Sequence, residues 1–100
     1  MEINVREPFF SQIVSGEKTV EGRVARGKFL GVKVGDEFIV RCGEKFCQKR
    51  VIGMYVYENF REMLNVHCSE AGFPDVESGV ECYRGIYGEV SGVIAFELGS

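Results

Sequence analysis

Two cations, Lys18 and Arg23, and the carboxylate of Glu21 fall within one strand's length in the stretch Gly16-Glu17-Lys18-Thr19-Val20-Glu21-Gly22-Arg23. Lys18 to Val24 is β-favouring and alternates, which puts Val20, Gly22 and Val24 on one face and Thr19, Glu21 and Arg23 on the other. Residues two apart on a strand are separated by roughly 6.5–7 Å, so Glu21 and Arg23 can share a ligand or pair with each other. Lys18 has the parity of Val20 and joins them only if the strand starts irregularly after Gly16. The plainer alternative is an exposed ion pair worth no more than about 1 kcal/mol.

The remaining reactive side chains are sparse. The four cysteines, Cys42, Cys47, Cys68 and Cys82, lack the paired C-x2-C spacing of a zinc knuckle, and His67 is the single histidine. No metal and no cofactor are therefore expected, and His67 reads as an ordinary loop histidine. Cys42 and Cys47 flank Gly43-Glu44-Lys45-Phe46; if that is a hairpin loop they face each other, near enough for a disulfide, although reduced half-buried thiols are the simpler expectation.

The elements that must position these groups follow from periodicity. Ile3 and Val5 begin a short strand, and Pro8 and Gly16 bracket an amphipathic helix over residues 8 to 15. Residues 25 to 31 read as a mobile basic loop. Glu37 to Cys42 and Cys47 to Tyr57 alternate like the arms of a hairpin, the second with Ile52, Met54 and Val56 on one face and Val51, Tyr55 and Tyr57 on the other. Asn59 caps a short helix with Phe60, Met63 and Leu64 as its buried stripe, and Asp75 caps a longer one with Val76, Val80, Tyr83 and Tyr87 in register. A last strand sets Ile94, Phe96 and Leu98 on one face. Without regular βα alternation, this order predicts an α+β fold, a small mixed β-barrel flanked by short helices.

At 100 residues the chain fits a single domain spanning residues 1 to 100, and 45% hydrophobic residues exclude a disordered chain. No apolar run approaches the roughly 20 residues that cross a bilayer, and the N-terminus lacks a secretory signal, so a cytoplasmic, intracellular monomer is expected. The net charge of −3 is uneven: residues 1 to 57 carry ten Lys and Arg against seven acids, residues 58 to 100 two against eight. That excludes a protein that coats duplex DNA and leaves room for a small basic face.

The Gly-x-Lys-x-x-Glu-x-Arg strand, the Val32-Lys33-Val34-Gly35-Asp36 turn, Tyr55-x4-Phe60-x2-Met63-Leu64 and the late helix with Tyr83-Arg84-x2-Tyr87 before Gly92-Val93-Ile94-Ala95 together resemble the ASCH domain family of the PUA-like superfamily. The resemblance runs from about Glu2 to Leu98. It implies a PUA-like barrel whose cleft, lined by Lys18, Glu21 and Arg23, binds RNA or a nucleotide-like ligand. Arg84, one of two basic residues after position 57, matches as a further cleft contact. Some family members are amidohydrolases acting on an N4-acylated cytidine and others are described as ribonucleases. A hydrolase here would rest on Lys18 and Glu21, but Glu21 stands where the amidohydrolases have a threonine nucleophile. Whether the chain catalyses anything stays open at this stage.

Overall fold

A computed structural model describes the whole chain, Met1 to Ser100. In order it contains β1 (Glu2–Asn4), α1 (Phe9–Ser15), β2 (Val20–Val24), a 3-10 turn (Gly27–Gly31), β3 (Glu37–Cys42), β4 (Lys45–Tyr57), α2 (Phe60–His67), α3 (Val76–Tyr87) and β5 (Val93–Gly99). The strands make one mixed sheet, β1-β3-β4-β5-β2, in which β1 and β3 are parallel and the other pairs antiparallel. With its three helices it is the expected α+β architecture, a half-barrel whose free edges are β1 and β2. Across the seam between these edges, Arg23 Nη2 on β2 donates to the Asn4 carbonyl on β1 at 2.8 Å. A side chain thus stitches the barrel where no strand pairing closes it.

β5 is apolar on both faces because both are covered. Ile94, Phe96 and Leu98 join Ile3, Phe38, Val40 and Val51 in the core inside the curved sheet. Val93 and Ala95 face the opposite way, into a second core with Val20, Val24, Met63, Leu64 and Tyr83 beneath α2 and α3. Those helices start where the sequence predicts: the Asn59 side chain accepts from the Glu62 N–H at 2.9 Å, and Asp75 accepts from the Ser78 N–H at 2.7 Å. No helix is long and apolar enough to cross a membrane.

Four expectations need correction. In β4 the register shifts between Val51, opposite Leu98, and Gly53, opposite Glu97, so Ile52 is the extra residue of a bulge. The bulge reverses side-chain parity: Val51 and Met54 both pack toward the inner core, while Ile52 and Val56 are exposed. Residues 27 to 31 are not an unanchored loop but a 3-10 turn tied down by Phe29, whose ring lies 5.9 Å from that of Phe96. The β3–β4 turn is shorter than assumed, so Cys42 pairs with Lys45 and Cys47 with Val40. The two cysteines are therefore diagonal neighbours, for which a Cα separation of roughly 7–8 Å exceeds the span of an ordinary disulfide; both thiols are free. His67 ends α2 and is buried, its ring nitrogens 2.8 Å from Tyr57 Oη and 3.1 Å from Glu70 Oε1.

An electrostatic strap joins the start of α1 to the β3–β4 hairpin. Glu7 Oε2 lies 2.9 Å from Lys45 Nζ, and its carboxylate accepts from the Ser11 N–H and hydroxyl. Lys45 first, then Ser11, lowers the Glu7 pKa from 4.5 to about 2. A carboxylate depressed in the folded state contributes stability that is present above its unfolded value and lost as pH falls through the folded one. Glu7→Gln should therefore be less stable than the parent at pH 6, and the two should converge as pH falls from 4.5 towards 2. Urea midpoints across that window measure this; a gap that stays constant would show that the strap contributes nothing by ionisation.

Candidate functional site

The site begins with how β2 is entered. α1 ends at Gly16, whose φ of 87° suits a residue without a Cβ, and residues 17 to 19 are irregular before the strand starts at Val20. Glu70 holds this entry, its carbonyl accepting from the Thr19 and Val20 N–H groups at 2.8 and 3.0 Å. Freed from strand parity, Lys18 turns inward and is 2% exposed. Its ammonium donates to the Val20 and Ala71 carbonyls at 2.8 and 2.7 Å and lies 3.4 Å from Glu21 Oε1. Two carbonyls thus accept from the ammonium, and the Glu21 carboxylate balances its charge. Burial still draws the Lys18 pKa below its ordinary value, against the pull of Glu21.

Within β2 the predicted alternation holds. Glu21 lies opposite Phe96 and Arg23 opposite Ile94, so both side chains share the inner face of the sheet with those residues. Gly22 points the other way, against α2, where an added Cβ would lie 2.6 Å from Met63 Sδ. Arg23 Nη2 meets Glu21 Oε2 at 2.9 Å. Burial opposes the Arg23 charge, but the Glu21 carboxylate, with Tyr87 and Tyr83 beside it, outweighs burial and raises the pKa. Glu21 is thus a buried carboxylate clamped between two cations. Arg23 Nε–H is buried with no acceptor, an unsatisfied donor that an apolar core would not retain without cost.

Glu21 and Arg23 open onto a cavity of about 520 Å³ at the seam between β1 and β2. Phe9, Phe73, Tyr83, Ile86 and Tyr87 form its apolar wall, while Arg6 and Arg41 contribute cations from β1's end and β3. Arg6 is exposed and has no carboxylate partner, its Nη2 lying 3.3 Å from Cys82 Sγ; Arg41 is paired with Glu2 at 2.8 Å. Tyr83 is 5% exposed, its ring stacked at 4.0 Å on Phe60. Burial first, then Glu21, pushes its phenol well above the ordinary value of 10, so it remains protonated at neutral pH.

The structure brings Lys18, Glu21 and Arg23 together, yet separates their exposure: only Glu21 and Arg23 line the cavity, and Lys18 lies behind them. Arg84 is not part of this group. On α3 the cavity-facing residues are Cys82, Tyr83, Ile86 and Tyr87, and Arg84 lies a further 100° or so around the helix from Tyr83. It borders a separate depression and pairs with Glu89 at 3.0 Å. His67 also lies away from the cavity. Sequence reasoning missed Arg6, Phe9, Phe73 and Ile86. The helical spacing of Ile86 from Cys82 and Tyr83 was an available signal; Arg6 and Phe73 depend on how distant segments meet. No three metal-ligating side chains converge anywhere in the chain.

A half-barrel with an amphiphilic cavity at its open seam defines the class, and residues 3–98 match the ASCH domain family; the chain belongs to it. Its fold is similar to the crystal structure of the hypothetical protein PH0355, with a TM-score of 0.84 and 30% identity over 97% of this chain and 94% of that one. The solution structure of PF0455 from Pyrococcus furiosus is also 30% identical, with a TM-score of 0.69 over 97% of this chain and 93% of that one. A variant of the ASCH protein from Zymomonas mobilis shares the fold at a TM-score of 0.77 and 17% identity, over 99% of this chain and 66% of that chain. Comparison with curated proteins finds no match.

Proposed function

We propose that this ASCH domain binds RNA or a nucleotide-like ligand by taking one nucleotide into the cavity at the β1–β2 seam. The observation that carries this reading is the buried Glu21 carboxylate, fixed by Lys18 and Arg23 at the edge of an aromatic-walled space of about 520 Å³. Cavities of roughly 300–1,000 Å³ suit small ligands. The ligand base packs against the aromatic wall and donates an N–H to Glu21, while its phosphate faces Arg6 and Arg41. Phosphate recognition falls to these residues and to Arg23, because Lys18 is 2% exposed and already engaged by two carbonyls and the Glu21 carboxylate.

Nothing in the geometry favours the hydrolytic alternative. No serine or threonine lines the cavity, so the threonine nucleophile of the amidohydrolases that act on an N4-acylated cytidine has no counterpart there. RNA cleavage would need Glu21 as a proton acceptor.

Titrating the four ribonucleoside 5′-monophosphates into labelled protein tests the reading. Saturable amide shifts should appear at Gly22, Phe73, Tyr83 and Tyr87; no saturable shifts, or shifts confined to the surface around Asn59 and Arg84, would refute it. Parallel incubation with RNA oligonucleotides and N4-acetylcytidine should yield no product. Turnover that disappears in a folded Glu21→Gln variant would replace the binding module with an enzyme.

A further inference from the structure

Beside the main cavity lies a second, smaller depression of about 290 Å³, bordered by Arg23, Val24, the Arg26-Gly27-Lys28-Phe29 segment and Tyr87. It shares Arg23 and Tyr87 with the main cavity, so the two adjoin across those side chains. No carboxylate borders it. Arg26 is exposed and has no acidic partner, and its backbone is fixed by an N–H bond to the Val24 carbonyl at 2.8 Å. Lys28 donates to the Glu2 carbonyl at 2.8 Å and lies over the Phe29 ring, while the Glu2 carboxylate goes to Arg41 instead. The depression is therefore a small, uncompensated positive site on a chain of net charge −3.

The depression around Arg84 offers a contrast. There, too, two arginines stand together, but Arg61 pairs with Glu77 and Arg84 with Glu89. Cations neutralised in this way offer little to an anion. Those at positions 26 and 28 retain their charge for a ligand.

We propose that the Arg26–Lys28 depression is a second subsite, which takes the phosphodiester adjoining the nucleotide held in the main cavity. The ligand is then a single-stranded RNA segment of at least two nucleotides, passing across Tyr87. Tyr87 borders both sites, so its ring is placed to stack on the neighbouring base, as aromatic platforms do along single strands. This rests on the proposed nucleotide-binding role of the main cavity and extends it from a mononucleotide to a strand.

The experiment compares ribonucleoside 5′-monophosphates with the homotrinucleotides of A, C and U, using the parent and the Arg26→Ala/Lys28→Ala double variant. At least one trinucleotide should bind the parent about tenfold more tightly than its monophosphate, with a log–log salt slope steeper by about 0.7 per added phosphate contact. The double variant should retain monophosphate affinity within about twofold and lose both the gain and the extra slope. A variant that keeps the gain, or loses monophosphate affinity equally, overturns the second subsite. So does a parent that binds all trinucleotides no better than monophosphates, although the main-cavity reading then survives. If neither probe binds the parent, both proposals fall together.

Discussion

Lys18→Met is expected to lower the stability of the domain by about 3–5 kcal/mol, the range for removing one partner of a buried ion pair. Methionine fills much of the same volume, so the loss is chiefly electrostatic. The Val20 and Ala71 carbonyls lose their donor, and Glu21 keeps Arg23 alone as counter-charge. A double-mutant cycle with Glu21→Leu isolates the pairing: the doubly substituted chain should lose clearly less than the two single losses added together. Urea midpoints of the four proteins supply the cycle. Additive losses would mean that Lys18 and Glu21 act independently, and their 3.4 Å contact would then have no energetic meaning.

Ile86→Trp should weaken binding of nucleoside monophosphates on the order of 100-fold, about 2.7 kcal/mol, while leaving the fold intact. Ile86 is 49% exposed on α3 and borders the cavity, so the larger ring can enter the space proposed for a base without breaking into the core. Ile86→Ala is the control. It removes a little apolar wall and should change affinity only slightly. Unaltered binding by a folded Ile86→Trp protein would place the ligand elsewhere.

The fold was legible because most of its signals are local. The Asn59 and Asp75 caps, the Tyr83–Tyr87 spacing and the alternation of β2, β3 and β5 each depend on residues a few positions apart. The half-site was legible for the same reason: Glu21 and Arg23 share a face because strand parity requires it. What escaped depends on partners far along the chain. The bulge at Ile52 is fixed by the register against β5, and nothing in the alternation of β4 announces an extra residue. The inward turn of Lys18 requires the Ala71 carbonyl, fifty-three residues away. Arg84 was assigned from its scarcity as a cation, but its angle around α3 decides where it lies, and that angle directs it to Glu89.

The seam between β1 and β2 has a consequence for how the molecule behaves among its own copies. An unclosed barrel exposes strand edges, and a bare edge invites another chain to add a strand. In β2 the bonds to β5 fall at Thr19 and, by alternation, at Glu21 and Arg23, so Val20, Gly22 and Val24 turn their peptides outward. Much of that outward row is already occupied. The Val20 N–H goes to Glu70, its carbonyl receives Lys18, and the Val24 carbonyl receives the Arg26 N–H. The Gly22 N–H and carbonyl and the Val24 N–H are what remains of that row, too short a stretch to recruit a foreign strand. The buried lysine therefore blocks one acceptor of the β2 edge as well as holding a carboxylate, so β2 can border the cavity with little of its outward row left for a foreign strand.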